Sequence, residues 1–485
     1  MRVRFAPSPT GYLHIGNIRT GLYNWLAVRN AGGEMILRSD DTDQARGSHE
    51  FYDDIIEGLR WMGLDWDEGI EVGGPHGPYR QSLRLDRYRE VSEALVAAGD
   101  AYPCFCTAEE LDERRKAATA AGKPPGYDGR CRTLDTAEVA ARIADGEKHS
   151  IRLAIPRPGE TVFEDIVRGE VRFGHDHVDD FVIARSNGFP TYHLASSVDD
   201  VDFEITHVVR GEDILSSTPK HILLGRAVAA LEGKDFDIEY AHLSLLLGPD
   251  GKKLSKRHGD TSLKHYRESG YLPEALVNYL ALLGWSPGED ETVVSLDEMV
   301  RRFDLADVQK NPAIFDVDKL QWLNGVYIRE LSAADFVGMT APLVEADLGR
   351  DLSRDERDMF AAVAPLVQER AKLLTEVADQ VRFLFVHDLS YDEGSWSKVM
   401  TKPEARVAVD AAASRLAELG EWTTVAIEET LRAMLDEHGL NARKGLQPLR
   451  VAVSGSSVSP PLFESMEALG QPRTLARLRD VFARL

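Results

Sequence analysis

"RFAPSPTGYLHIGNIRTG", residues 4–21, passes from an apolar strand end through two prolines and a Thr-Gly pair into helical spacing. "VRF" at 3–5 alternates like a short strand, and Pro7 and Pro9 forbid its continuation. Ile15, Ile18, Leu22 and Trp25 then recur at the period of a helix. A strand, a stiff turn at Gly11 and a small residue, Gly16, at a helix entrance form a layout suited to phosphate. Free N–H groups and the dipole at a helix start favour an anion there, and His14 can donate to it. "HIGN" alone recurs by chance, and a His that merely caps or packs at a helix start is the alternative.

Working outward, "EMILR" follows the Gly32-Gly33 turn as a second strand, and Phe51, Ile55, Leu59 and Met62 form a second helical stripe ending at Gly63. This alternation predicts an α/β fold with a doubly wound parallel, Rossmann-type sheet whose ligands sit beyond the carboxyl ends of its strands. From about residue 85 to 187 the pattern loosens, as in an α+β insertion, and all three cysteines lie here. "THVVRGEDILSSTPKHILLGRAV" restores strand, turn and helix, with "SSTP" as the helix start. From about Lys319 onward Gly and Pro thin out, amphipathic patterns dominate, and the last third is predicted to be all-α.

Four segments follow: a split catalytic domain at 1–85 and 187–230, an insert at 86–186, a segment at 231–325 and a helical region at 326–485, expected as two subdomains. A chain of 485 residues with 43% hydrophobic and 28% charged residues is expected to be multidomain and globular. No window reaches the roughly 18 apolar residues of a membrane span, and no secretion signal opens the chain. A cytoplasmic protein without membrane contact, and a monomer, is therefore expected. Three cysteines cannot build a disulfide framework.

The net charge of -23 argues against general adhesion to nucleic acid. Against that trend, residues 241–270 carry six Lys and Arg but only three Asp and Glu. Within them "GPDGKKLSKRHGD" sets Lys253 and Lys256 on a glycine-flanked loop. Two ammonium groups there suit a phosphate that gains charge in its transition state, and a solvated basic loop is the alternative.

"RFAPSPTGYLHIGN" and "KKLSKRHG" together resemble the two signature motifs of class I aminoacyl-tRNA synthetases, and the proline-rich prefix resembles the glutamyl and glutaminyl branch. The resemblance extends through "DDTD" (40–43), "GPYRQS" (77–82), "YDGRC" (127–131), "PTYHLASSVDD" (190–200), "VVRGED" (208–213), "FDVDKLQWLNGVYIRE" (315–330) and "QPLRVAVSG" (447–455), nearly the whole chain. By these motifs the sequence is identified as a member of the bacterial-type glutamyl-tRNA synthetases. The arginine of "VVRGED" and the helical tail separate it from the glutaminyl branch, whose tail is a β-barrel.

The resemblance implies ATP, Mg2+, L-glutamate and tRNA(Glu) as reactants, and a two-step reaction through glutamyl-adenylate that needs tRNA from the start. His14, Lys253 and Lys256 are implied as the catalytic cations, with Gly11 and Gly16 beside them around ATP. Arg4, Ala6, Ser8, Asp40, Tyr192 and Arg210 are implied around glutamate, two arginines suiting a second carboxylate. The plainer readings are an edge-strand charge for Arg4 and an interdomain salt bridge for Arg210. Ser39 and Asp40 stand where the family carries an apolar residue and a Glu, so the shorter acid must reach further or use water. Asp41 and Asp43 read as a solvated acidic turn or as groups orienting helix ends.

Cys104, Cys106 and Cys131 lie within 28 positions, and with Tyr127 they match one zinc pattern of the family, implying one structural Zn2+. Packing of three reduced thiols is the alternative. The insert is implied to meet the tRNA acceptor end, 231–325 the stem, and the helical region the anticodon, with Arg370, Arg443, Lys444 and Gln447 as candidates. Further possibilities are an enzyme that also charges tRNA(Gln), a non-catalytic tRNA-binding paralogue, and a shortened relative that glutamylates a tRNA base. The intact cations disfavour the second, and chain length the third.

Overall fold

A computed structural model describes residues 1–42, 48–122, 126–288 and 291–485, together with the backbone but not the side chain of Lys256. Asp43 lies outside these residues. The chain divides into two compact units, 1–266 with 276–316, and 267–275 with 317–485.

In the first unit the strands are β1 (Arg2–Phe5), β2 (Glu34–Leu37), β3 (Glu68–Gly69), β4 (Ala101–Cys104), β5 (Ser150–Leu153), β6 (Glu160–Asp165), β7 (Gly169–Gly174), β8 (Val182–Ala184), β9 (His207–Gly211), β10 (Glu239–Leu243), β11 (Leu246–Leu247) and β12 (Ala313–Ile314). The main sheet runs β3-β2-β1-β9-β10-β6-β7. Its pairs are parallel except the β6–β7 hairpin, and β1 pairs β2 from Arg2↔Glu34 to Phe5↔Leu37. Leaving out the inserted hairpin, the order is that of a doubly wound sheet, as the strand and helix alternation predicts.

Helix α1 (Ile15–Ala31) follows β1 and ends at Gly32, which takes φ 62° and closes on the carbonyl of Val28. Helices α2 (His49–Trp61), α3 (Leu85–Ala98), α4 (Ala108–Ala120), α5 (Thr136–Ala144), α6 (Tyr192–Asp202) and α7 (Thr218–Leu231) follow in order, α7 with Pro219 in its first turn. The insert does not pack by itself. Its hairpin β6–β7 extends the main sheet, and a shared core joins Val91 of α3, Leu153, Phe181 and Ile183 to Val198 of α6 and Leu224 of α7.

The second unit is helical, from Val317–Glu330 to Gln471–Phe482. Its helix starts carry the expected side-chain caps, Ser332, Ser353, Thr423 and Asn441 among them. One cluster of buried side chains, including Phe336, Phe360, Leu384, Leu431 and Val481, runs through it, so these helices share a core. No helix among the described residues is long and apolar enough to cross a membrane.

Candidate active site

A cleft of about 390 Å³ opens beyond the carboxyl ends of β1, β9 and β10, lined by Phe5, Gly211 and Ser244 at those ends. It straddles the place where the strand order reverses, between β1 and β9. Arg4, Ala6, Ser8, His14, Gly16, Asp40, Tyr192, Arg210 and Lys253, scattered along the sequence, all line it. Gly11 does not, and its φ is not left-handed.

At the entrance of α1, His14 is the N-cap, its Nδ1 accepting the amide hydrogen of Gly16 at 3.0 Å. The neutral ring therefore carries its proton on Nε2, the nitrogen that can donate. A Cβ at Gly16 would lie 3.3 Å from that Nδ1, close enough that the imidazole would have to shift by a few tenths of an ångström. Free amides at this helix start are not found: Ile15 N–H donates to Thr261 O, Gly16 to His14 Nδ1, and Asn17 and Ile18 to His14 O. The cleft thus offers an anion the helix dipole and the imidazole, in place of the helix-start amides expected from the sequence.

The lysine loop is a hairpin in which Leu254 N–H returns to Leu246 O and Gly251, at φ 71°, closes on Gly248 O. His258 braces it, its Nδ1 accepting from Ser255 N at 3.2 Å and its Nε2 lying 3.0 Å from Asp250. The loop then pairs with the first motif through an antiparallel bridge between His14 and Ser262, reinforced by Leu263 N–H to Leu13 O. Lys253 Nζ lies 2.9 Å from Asp213 Oδ2, both largely exposed.

The same cleft borders a buried charge network through Arg4 and Asp40. Arg38, fully buried, donates to Asp40 from Nε at 2.7 Å and Nη2 at 3.2 Å, to Asp200 from Nη1 at 2.9 Å, and to Ser196 at 3.3 Å. Arg4 donates to Asp200 at 3.1 Å. Strand β1 is central and Arg4 is buried, so an edge-strand charge is ruled out. Burial works to raise Asp200, but Arg4 and Arg38 override it and hold its pKa below the usual range. Burial raises Asp40 despite Arg38. Both Asp40 oxygens are thus engaged, so a substrate ammonium would share them. Asp41 accepts from Ser82 N at 2.8 Å and Oγ at 2.7 Å, tying down the short 3-10 turn at Gln81–Leu83.

Arg210 is held differently. Its Nε donates to His242 Nε2 at 3.2 Å, Nη1 to His221 Nδ1 at 3.2 Å and Nη2 to Thr218 Oγ1 at 2.8 Å. Three of a guanidinium's five N–H groups are used, leaving one on each terminal nitrogen. Among the described residues no carboxylate pairs with Arg210, which removes the salt-bridge reading. His221 donates in turn to His193 Nδ1 at 3.0 Å. Burial, with Arg210 adding, holds His221 well below the usual histidine range, and His193 falls to about 4. Both rings are neutral at pH 7. Sequence reasoning missed Arg38, Thr218, His221 and His242. The only available signals were Arg38 two positions before Asp40 and Thr218 and His221 inside "STPKH".

In the insert the sulfurs of Cys104, Cys106 and Cys131 lie within 4.8 Å of one another, Cys106 and Cys131 at 3.7 Å. Tetrahedral zinc with bonds of about 2.3 Å separates its sulfurs by about 3.8 Å. The Tyr127 oxygen is 3.4 Å from Cys104 and 4.0 Å from Cys106, accepts from Cys131 N at 3.0 Å, and its ring lies under Arg152. Burial raises the Cys106 thiol to about 12, whereas Tyr127 and Arg152 outweigh burial and lower Cys104. The donor set fits one zinc ion.

In the second unit, Arg443, Lys444 and Gln447 line a cavity of about 960 Å³ with Lys398, Lys402 and Asn441. Arg370 is not among its lining residues.

The family described as "tRNA synthetases class I (E and Q), catalytic domain" matches residues 1–322, and "Anticodon binding domain" matches 335–482. Glutamate--tRNA ligase of Streptomyces coelicolor is 46% identical over all of this chain and 98% of its own length. That of Moorella thermoacetica is 45% identical over 99% and 97%. Among solved structures, a glutamate tRNA ligase from Elizabethkingia meningosepticum in complex with its amino acid superposes with a TM-score of 0.86 at 35% identity, covering 100% of this chain and 99% of that one.

Proposed function

The chain belongs to the class I tRNA synthetases of the glutamyl and glutaminyl family, and from that premise we propose that it is a glutamate–tRNA ligase. It activates glutamate with ATP and transfers it to the 3' end of tRNA(Glu). The supporting observation is the convergence, in one cleft, of two buried arginines, Arg4 and Arg210, with His14 and Lys253.

Glutamate's side-chain carboxylate meets the two remaining N–H groups of Arg210, whose charge no carboxylate among the described residues neutralises. Glutamine presents an amide to the same cation and gains less. Arg4 reaches the substrate beside Asp200, with Tyr192 at the start of α6 and Ala6 and Ser8 on the β1 turn lining the same cleft. The α-carboxylate attacks the α-phosphorus of MgATP and pyrophosphate leaves. His14 Nε2–H and the ammonium of Lys253, with Lys256 on the same loop, stabilise the charge that grows on the phosphate oxygens. No covalent enzyme intermediate is needed. The terminal ribose hydroxyl of tRNA then attacks the adenylate carbonyl, and AMP leaves.

Cys104, Cys106, Cys131 and Tyr127 would hold one zinc, which would serve as a cross-link of the insert. The insert over 86–186 meets the acceptor end, 231–325 the stem, and the basic cavity at Arg443, Lys444 and Gln447 the anticodon loop, with Arg370 a separate candidate. The test is glutamate-dependent aminoacylation of purified tRNA(Glu) and tRNA(Gln) side by side. Charging of tRNA(Glu) alone supports a discriminating enzyme, equal charging of both a non-discriminating one, and charging of neither removes the reading.

A further inference from the structure

Asp165 ends β6, in the insert, far in sequence from the residues that line the cleft, yet its side chain is fully buried against His242 of β10. Its two oxygens have separate tasks. Oδ1 accepts from the backbone of Val167 at 3.1 Å, Arg168 at 2.9 Å and His242 at 3.2 Å, which shapes the turn after β6. Oδ2 lies 2.5 Å from His242 Nδ1.

An ionised carboxylate can only accept, so His242 Nδ1 carries the proton and Nε2 is left as an acceptor. That nitrogen faces Arg210 Nε at 3.2 Å and Thr218 Oγ1 at 2.9 Å, and Thr218 itself accepts from Arg210 Nη2. The chain of donors and acceptors therefore has one consistent direction, from the cation through the imidazole to the acid. It presents acceptors to one side of the guanidinium without placing a carboxylate against it. The charge stays available to a ligand, and the plane of the fork is held.

We propose that Asp165 is a positioning residue for glutamate recognition, setting the tautomer of His242 and through it the orientation of Arg210. This rests on the reading that Arg210 meets the substrate's side-chain carboxylate.

Asp165→Asn separates the two tasks. The amide oxygen keeps the backbone turn, while the NH2 group faces the Nδ1–H of His242. Relief by the other tautomer puts an N–H against Arg210 Nε–H, a donor opposed to a donor. In tRNA-supported pyrophosphate exchange, the expected result is a glutamate KM raised about tenfold or more and an ATP KM within about twofold, with a lowered Tm from the buried donor left without an acceptor. Nitrogen NMR of the natural protein, with His242→Gln for assignment, should show the Nδ1–H tautomer. An unchanged glutamate KM in Asp165→Asn overturns the proposal. So does an Nε2–H tautomer for His242, a readout that holds even if Asp165→Asn fails to fold. Failure of the natural protein to activate glutamate would instead remove the reading beneath it.

Discussion

Lys253 and Asp213 form an ion pair at the mouth of the cleft, Nζ to Oδ2 at 2.9 Å, with side chains 60% and 49% exposed. A pair this wet contributes under about 1 kcal/mol to folding, so it parks the lysine rather than stabilising the protein. Arrival of a triphosphate offers Lys253 a stronger partner.

Lys253→Ala should therefore cut glutamate-dependent pyrophosphate exchange by about 10²-fold or more with Tm almost unmoved. Exchange assays beside thermal melts check this. Near-normal exchange would take the loop out of the chemistry.

His14 has two tasks that substitution can separate. His14→Asn keeps an oxygen suited to cap α1 but removes the Nε2 donor, so stability should hold while exchange falls. His14→Ala loses both, with about 1 kcal/mol of destabilisation expected from the lost cap. Equal exchange rates for natural protein and His14→Asn would confine this histidine to capping.

The cysteine cluster predicts about one zinc per chain by elemental analysis, a lower Tm after chelation, and recovery on adding zinc back. Cys106→Ser should weaken retention of the metal. A metal-free preparation with an unchanged Tm would leave three thiols and a tyrosine packed for their own sake.

Glu356 gives a pH test in the helical unit. It closes a capping box with Ser353 and accepts two bonds from Arg350, at 2.7 and 2.9 Å. Arg350, the larger influence, lowers its pKa from 4.5 to about 2. The folded value is depressed, so the ionised group stabilises fully above pH 4.5, and that contribution fades as pH falls toward 2. Glu356→Gln should melt lower than the natural protein at pH 7, and the gap should close across that window. A gap independent of pH would mean that hydrogen bonding alone, without charge, holds this helix start.

Local pattern made much of this molecule legible. Pro7 and Pro9 end β1 wherever the strand sits, and α1 follows from the spacing of Ile15, Ile18 and Leu22. The caps at Ser353 and Asn441 act within one helical turn of their own positions. The cluster of three thiols was readable because they lie close in sequence.

Other features were hidden because they depend on partners far along the chain. Nothing near Arg210 announces that its neighbours will be His242, His221 and Thr218 rather than a carboxylate, or that Asp165 stands behind His242. The amides at the start of α1 looked available until Thr261 O and His14 were found to take them. Nothing in the insert's own pattern announces that its hairpin is paired onto β10.

The sequence by itself determined the elements, the two signature motifs and the family, because turns, caps and hydrophobic periods are short-range properties. Only the tertiary structure decided which arginine keeps an unneutralised charge and which acids are already taken. Those outcomes depend on distances of about 3 Å between side chains separated by tens to hundreds of residues, which sheet order and packing alone bring together.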